Sequence, residues 1–185
     1  MERREFIAGA LGAVCLLTIG GTSSAFGQSN DLLRPPGGTD ESRLIGACLK
    51  CDRCRSVCPQ NCIVTATVEK GILNARTPTL DFTKGYCDFC KKCIEVCPTS
   101  ALEDFSTDCD FIGIAQLDSQ SCVSCKACVP ACQWDALSWD ENEGLPVVDE
   151  ELCNGCGACE YSCPSSSYGY YSSAKKRAIY VTKRK

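Results

Sequence analysis

The chain has 185 residues, of which 19 are Cys and none is His, and its formal charge is −4. Without His it cannot carry C-x-x-C-H haem, Rieske ligation or the common His-bearing zinc and copper sites, and its charge balance argues against nucleic-acid binding as its main activity. So short a chain with long loops cannot be held by apolar burial alone, and metal ligation by its thiols must supply much of the folding free energy.

Arg3-Arg4-Glu5-Phe6-Ile7 leads into an apolar run from Ile7 to about Gly20, then into small residues at Ser23-Ser24-Ala25-Phe26-Gly27. Residues 1–27 therefore read as a twin-arginine export signal, cleaved after Ala25 or Gly27. An uncleaved anchor is the alternative, but the apolar stretch falls short of the ~20 residues that a membrane span needs. Residues 28–43 read as a linker, with Arg34-Pro35-Pro36-Gly37-Gly38 extended. At its end, Asp40 to Ala47 offers a capping residue, early acids and apolar positions, which predicts a short helix feeding the first Cys of a domain over residues 44–185.

From there one pattern, C-x2-C-x2-C-x3-C, occurs four times: Cys48-Cys51-Cys54-Cys58, Cys87-Cys90-Cys93-Cys97, Cys122-Cys125-Cys128-Cys132 and Cys153-Cys156-Cys159-Cys163. Pro follows the last Cys in every run but the third, where Gln133 stands. This is the bacterial run that wraps a [4Fe–4S] cube. Two-residue steps aim successive thiolates at neighbouring irons, and the three-residue step turns the fourth Cys away, toward the other cube of a two-cluster unit. The sixteen Cys are thus the candidate ligands of four [4Fe–4S] clusters. A disulfide scaffold would show irregular spacing, and structural zinc would show C-x2-C pairs separated by longer gaps. The linear gaps permit either tandem or nested pairing of the runs.

Short strands are predicted before the later runs, at Thr79–Phe82, Gly113–Leu117 and Leu145–Val148, and after the runs at Ile63–Val68, Ala136–Trp139 and Ala178–Thr182. Ala136 to Val148 reads as a hairpin. The first run lacks a strand before it and the last strand has no neighbour in sequence, so the two chain ends are expected to pair away from their nearest repeats. Four residues beyond each fourth Cys stand Cys62, Ala101, Ala136 and Ser167, each followed by a large residue. Cys62 thus fills a small-residue slot and reads as a buried thiol rather than a ligand. Cys109 has no equivalent in the repeats, and a Cys62–Cys109 disulfide is the alternative for this pair.

Lys50, Arg53 and Arg55 flank run one, Lys91 and Lys92 run two, Lys126 run three, and Glu160 run four. Cations favour the reduced cluster and raise its potential, so runs one and two are expected to sit higher than run four. The tail residues Lys175, Lys176, Arg177, Lys183, Arg184 and Lys185 read as a solvated terminus, with docking to a partner or anionic lipid as the alternative.

The Arg-Arg leader, Arg34-Pro35-Pro36-Gly37, Ala47-Cys48, Thr77-Pro78, Gly113-Ile114-Ala115, Cys153-Asn154-Gly155-Cys156 and the closing Lys176 to Val181 follow one another in an order that resembles the ferredoxin-type proteins of the periplasmic nitrate-reductase and methylamine-utilisation systems. The resemblance covers essentially the whole chain. It implies a carrier of four [4Fe–4S] clusters, not an enzyme, working in the periplasm or on the extracytoplasmic face of the membrane. Its partners would be a membrane quinol dehydrogenase or similar integral redox protein and a periplasmic redox acceptor, a reductase or cytochrome. These proteins also resemble the four-cluster subunits of the dimethyl-sulfoxide-reductase class, whose runs pair first with fourth and second with third. That likeness implies an α+β, ferredoxin-like fold of two pseudo-twofold two-cluster modules, nested. Cys163 would then join Cys48, Cys51 and Cys54, and Cys58 would join Cys153, Cys156 and Cys159. Cys132 would join Cys87, Cys90 and Cys93, and Cys97 would join Cys122, Cys125 and Cys128. Other readings are an electron-transfer subunit of a molybdenum oxidoreductase complex, a cluster-bearing assembly factor and a structural zinc protein.

Overall fold

The computed structural model describes residues 32–103, 111–165 and 177–184. The leader, Cys109, Ser167 and the tail residues Lys175, Lys176 and Lys185 lie outside them. Asp40 accepts a hydrogen bond from the Arg43 N–H (3.1 Å) and starts α1, Glu41–Ala47, where capping placed it. Leu44 is the buried residue of that helix, at 0 % exposure. After α1 the chain forms α2 (Arg53–Ser56), β1 (Ile63–Thr65), β2 (Pro78–Leu80) and α3 (Lys92–Glu95). It continues through β3 (Ile114–Leu117), α4 (Cys128–Ala131), β4 (Leu137–Asp140), β5 (Leu145–Val148), α5 (Ala158–Ser162) and β6 (Ile179–Thr182). Single-turn helices and two-stranded ribbons are not stable alone in water, so contacts between runs and ligation must hold them.

Each predicted strand is present: β1, β3 and β6 are shorter than predicted, β2 and β4 are shifted by one residue or more at their ends, and β5 has the predicted bounds. β1 pairs antiparallel with β2, setting Ile63 opposite Leu80, and β4 with β5, setting Leu137 opposite Val148. β6 pairs antiparallel with β3, setting Ile179 opposite Leu117. The last strand thus reaches back past the fourth run to the strand that precedes the third. At the other end, the Leu33 carbonyl accepts from the Leu80 N–H (2.8 Å) and the Thr79 hydroxyl (2.8 Å), laying the entering chain on β2.

These pairings gather the chain into two modules. Leu44, Cys62, Ile63, Leu80, Phe82, Cys93, Ala101 and Leu102 form one core around runs one and two. Ile114, Ala115, Cys128, Ala136, Leu137, Cys153, Cys159 and Ile179 form the other around runs three and four. The modules are therefore tandem. The nested expectation fails because the β1–β2 hairpin locks run one against run two, while β3 and β6 close over runs three and four.

Residues 34–38, within the stretch read as a linker, are buried. Arg34 is 1 % exposed and makes six hydrogen bonds from its guanidinium to four residues. Nε reaches both Glu41 oxygens (3.1 Å each), Nη1 the Thr77 hydroxyl and the Pro78 carbonyl (2.8 Å each), and Nη2 Glu41 (2.7 Å) and Asn74 Oδ1 (2.8 Å). Burial alone would raise the Glu41 pKa, but Arg34 and Lys183 (2.8 Å) outweigh it and hold the carboxyl below its usual range. This one side chain ties the entering strand, α1 and the β1–β2 connection together.

Candidate metal centres

All four runs fold alike around their second Cys. The residues on either side of it are left-handed: Lys50 and Asp52, Phe89 and Lys91, Ser124 and Lys126, Gly155 and Gly157. Alternating handedness turns successive N–H groups to one side, making a concavity that suits an anion. The Lys50 N–H stands 3.4 Å from the Cys48 sulfur, and the Ala115 N–H 3.4 Å from that of Cys153. A short helix contains the third Cys of each run, and in the first three runs a left-handed residue three beyond the fourth Cys (Asn61, Ser100, Asp135) swings the chain back over the loop.

Four cavities result, each lined by the first three Cys of one run and the fourth Cys of its module partner. Site I holds Cys48, Cys51, Cys54 and Cys97, and site II holds Cys87, Cys90, Cys93 and Cys58. Site III holds Cys122, Cys125, Cys128 and Cys163, and site IV holds Cys153, Cys156, Cys159 and Cys132. This corrects the nested ligand sets: Cys97 sits with run one, Cys58 with run two, Cys163 with run three and Cys132 with run four. The walls of the cavities are mostly apolar.

The thiols themselves call for a bound cation. Burial first, then the charge of neighbouring thiols, pushes Cys54 and Cys128 up to about 11 and Cys93 up to about 12. Cys159 is pushed up further by the same causes. Four thiols gathered in one such cavity would be held as thiolates together by a cation placed among them. Cys97 and Cys163 go the other way: burial is outweighed for Cys97 by the backbone N–H groups of Leu102 and Thr99, and for Cys163 by the Ser165 side chain first (3.3 Å) and then the backbone N–H groups of Ser165 and Ile179.

The sites also lie against one another. Cys54 of site I is near enough to raise the pKa of Cys93 of site II, and Cys128 of site III to raise that of Cys159 of site IV. Between modules, the Cys87 N–H donates to the Cys156 carbonyl (2.8 Å), joining site II to site IV. Phe82 packs where a Cβ on Gly157 would overlap its ring, and a Cβ on Gly155 would strike the Gly113 backbone. Phe89 meets Trp134 edge-on at 6.1 Å, and Tyr86 meets Tyr161 at 6.0 Å across the same seam. Gly157 is thus dictated by the seam between modules as well as by the loop, and Gly155 by the close approach of the Gly113 backbone, requirements that no local pattern announces.

Site I carries Lys50, Arg53, Arg55 and Arg76 on its wall, of which Arg76 was not foreseen. Lys126 at site III is paired with Glu141 (3.1 Å) and lies over Trp139. Glu160 points away from site IV, accepting from the Val181 N–H (2.8 Å), and burial raises its pKa. The described tail residues are not merely solvated. Arg177 binds the Glu160 and Tyr161 carbonyls, Lys183 binds Glu41, and Arg184 binds the Glu150 carbonyl (3.1 Å).

Paired runs that exchange their fourth Cys, in a fold of short ribbons and turns, define an iron–sulfur protein of the two-cluster ferredoxin kind. Residues 47–101 and 121–167 match the 4Fe-4S dicluster domain, one match for each module. The ferredoxin-type protein NapF of Escherichia coli (strain K12) is 35% identical over 76% of this chain and 85% of its own length. The ferredoxin-type protein NapG of the same strain is 32% identical over 87% and 80%. The methylamine utilization ferredoxin-type protein MauM of Paracoccus denitrificans (strain Pd 1222) is 32% identical over 88% and 83%. The chain belongs to this family of ferredoxin-type [4Fe–4S] electron carriers.

Proposed function

We propose that the chain holds four [4Fe–4S] clusters, one in each cavity, and relays electrons outside the cytoplasmic membrane from a quinol-oxidising membrane partner toward a periplasmic reductase or cytochrome. The observation that carries this reading is the fourfold set of thiols, each set ringing its own cavity. When bound, each cluster supplies one reversible electron. Among the described residues no three metal-binding side chains converge closely enough to share a single ion. Zinc needs such convergence, with Zn–S near 2.3 Å, whereas a cube needs its thiols spread around it.

Contacts between the sites support the order I, II, IV, III. Cys54 and Cys93 span the first step, the Cys87–Cys156 backbone bond the second, and Cys159 and Cys128 the third. Cys51, Cys90 and Cys125 are all exposed, and at the end sites Cys51 and Cys125 stand near an exposed apolar residue as well, Leu49 (66%) and Val123 (46%). Those ends suit docking of donor and acceptor. The Arg3-Arg4 leader supports export of a folded, cluster-loaded chain. Fractionation tests the placement: the reading expects a processed chain outside the cytoplasm, reducible by quinol in the presence of membranes. A full-length chain confined to the cytoplasm would overturn it.

A further inference from the structure

We infer that Cys62 is a reserve ligand of site II, able to replace Cys58 on the iron there; this rests on the reading of site II as a cluster site. Site II is lined by five thiols where the other three cavities have four. The fifth belongs to Cys62, 1 % exposed, with its sulfur 3.7 Å from that of Cys58 and facing the same cavity as Cys87, Cys90 and Cys93. The fold puts it there by rule. The left-handed residue three beyond the fourth Cys returns the next residue over the cavity, and at sites I and IV that next residue is Ala101 or Ala136, each 2% exposed and each lining its site.

Where those sites carry a methyl group, site II carries a second thiol at the same station. The Cys62 carbonyl is tied to the Asp81 N–H (2.9 Å), so the β1–β2 hairpin holds this residue against the cavity, and a side-chain rotation is the motion required. The exchange moves no electrons. The iron–sulfur bond to Cys58 breaks, a bond from the same iron to the Cys62 sulfur forms, and the Cys62 proton passes to Cys58. Site II would thereby survive the loss of a ligand that would open site I or site IV.

The test compares single-ligand losses in the full chain, purified without oxygen. Cys58→Ala is expected to keep the iron and acid-labile sulfide of the unsubstituted protein. Cys97→Ala and Cys132→Ala should lose iron or show the EPR signal of a three-iron cluster. Cys58→Ala/Cys62→Ala should fall by about a quarter, one site of four. In folded Cys58→Ala, Cys62 should resist alkylation until iron is chelated. A gain-of-ligand variant guards against misfolding: Ala101→Cys should restore site I in Cys97→Ala. Iron loss in Cys58→Ala equal to that in Cys97→Ala, with unsubstituted protein fully loaded, overturns the reserve role alone. An unsubstituted protein without iron and sulfide overturns the cluster reading instead.

Discussion

Replacing Arg34 by Met keeps much of the volume and removes every donor. The Pro78 carbonyl and Asn74 Oδ1, both buried, then lose their Arg34 donors, at about 1–3 kcal/mol each. Glu41 loses its guanidinium but keeps Lys183 at 2.8 Å and is 21% exposed, which places the total near the lower end of the 3–5 kcal/mol typical of a broken buried pair. About 3 kcal/mol, at an m-value of roughly 2 kcal/mol/M, moves the urea midpoint down by about 1.5 M. The assay is loss of visible cluster absorbance with urea under argon, read against far-UV signal. Arg34→Lys should recover only part of the loss, since an ammonium cannot bridge Glu41, Thr77 and Asn74 as a planar fork does. Because Glu41 titrates lower when folded than when unfolded, the ion pair's contribution is whole above about pH 5. It fades as pH falls through about 4.3 and on through the folded value. The gap between wild type and Arg34→Met should therefore narrow in acid. A midpoint shift under about 0.3 M at neutral pH would refute the reasoning.

Gly157→Ala should destabilise by about 2–4 kcal/mol, combining a left-handed backbone (φ +79°) with overlap on the Phe82 ring, whereas Gly46→Ala, in α1 with open space around it, should be neutral or stabilising by up to about 1 kcal/mol; paired urea curves decide. In an EPR-monitored titration site I should sit above site IV, since Lys50, Arg53, Arg55 and Arg76 outnumber the one carboxylate, Asp52, on the wall of the first and no charged side chain lines the second. Arg53→Gln should lower one potential of the set by on the order of 40 mV, about 1 kcal/mol per electron, and coincident potentials with no response to the substitution would contradict that ordering.

Much of this was legible locally. The runs declare their ligands by spacing, Asp40 declares α1 by its side-chain cap, and Ala136 to Val148 declares a hairpin by alternation and a Gly-containing turn. What stayed hidden depends on residues far apart in the chain. The tandem pairing is decided by which hairpins form, and Cys58 and Cys97 are equally placed by spacing for either arrangement. Arg34 looked like linker because an arginine is normally solvated, and its partners Asn74 and Thr77 lie 40 and 43 residues away. Arg177 and Lys183 read as a charged end for the same reason. The small-residue slot after each fourth Cys was visible, but that it opens onto the metal cavity, and so gives Cys62 a chemical neighbour, needed the fold.

The most direct measurement is iron, zinc and acid-labile sulfide per chain after purification without oxygen. Four filled cavities predict about sixteen iron and sixteen sulfide with negligible zinc. About four zinc and no sulfide in a properly folded chain would contradict the account.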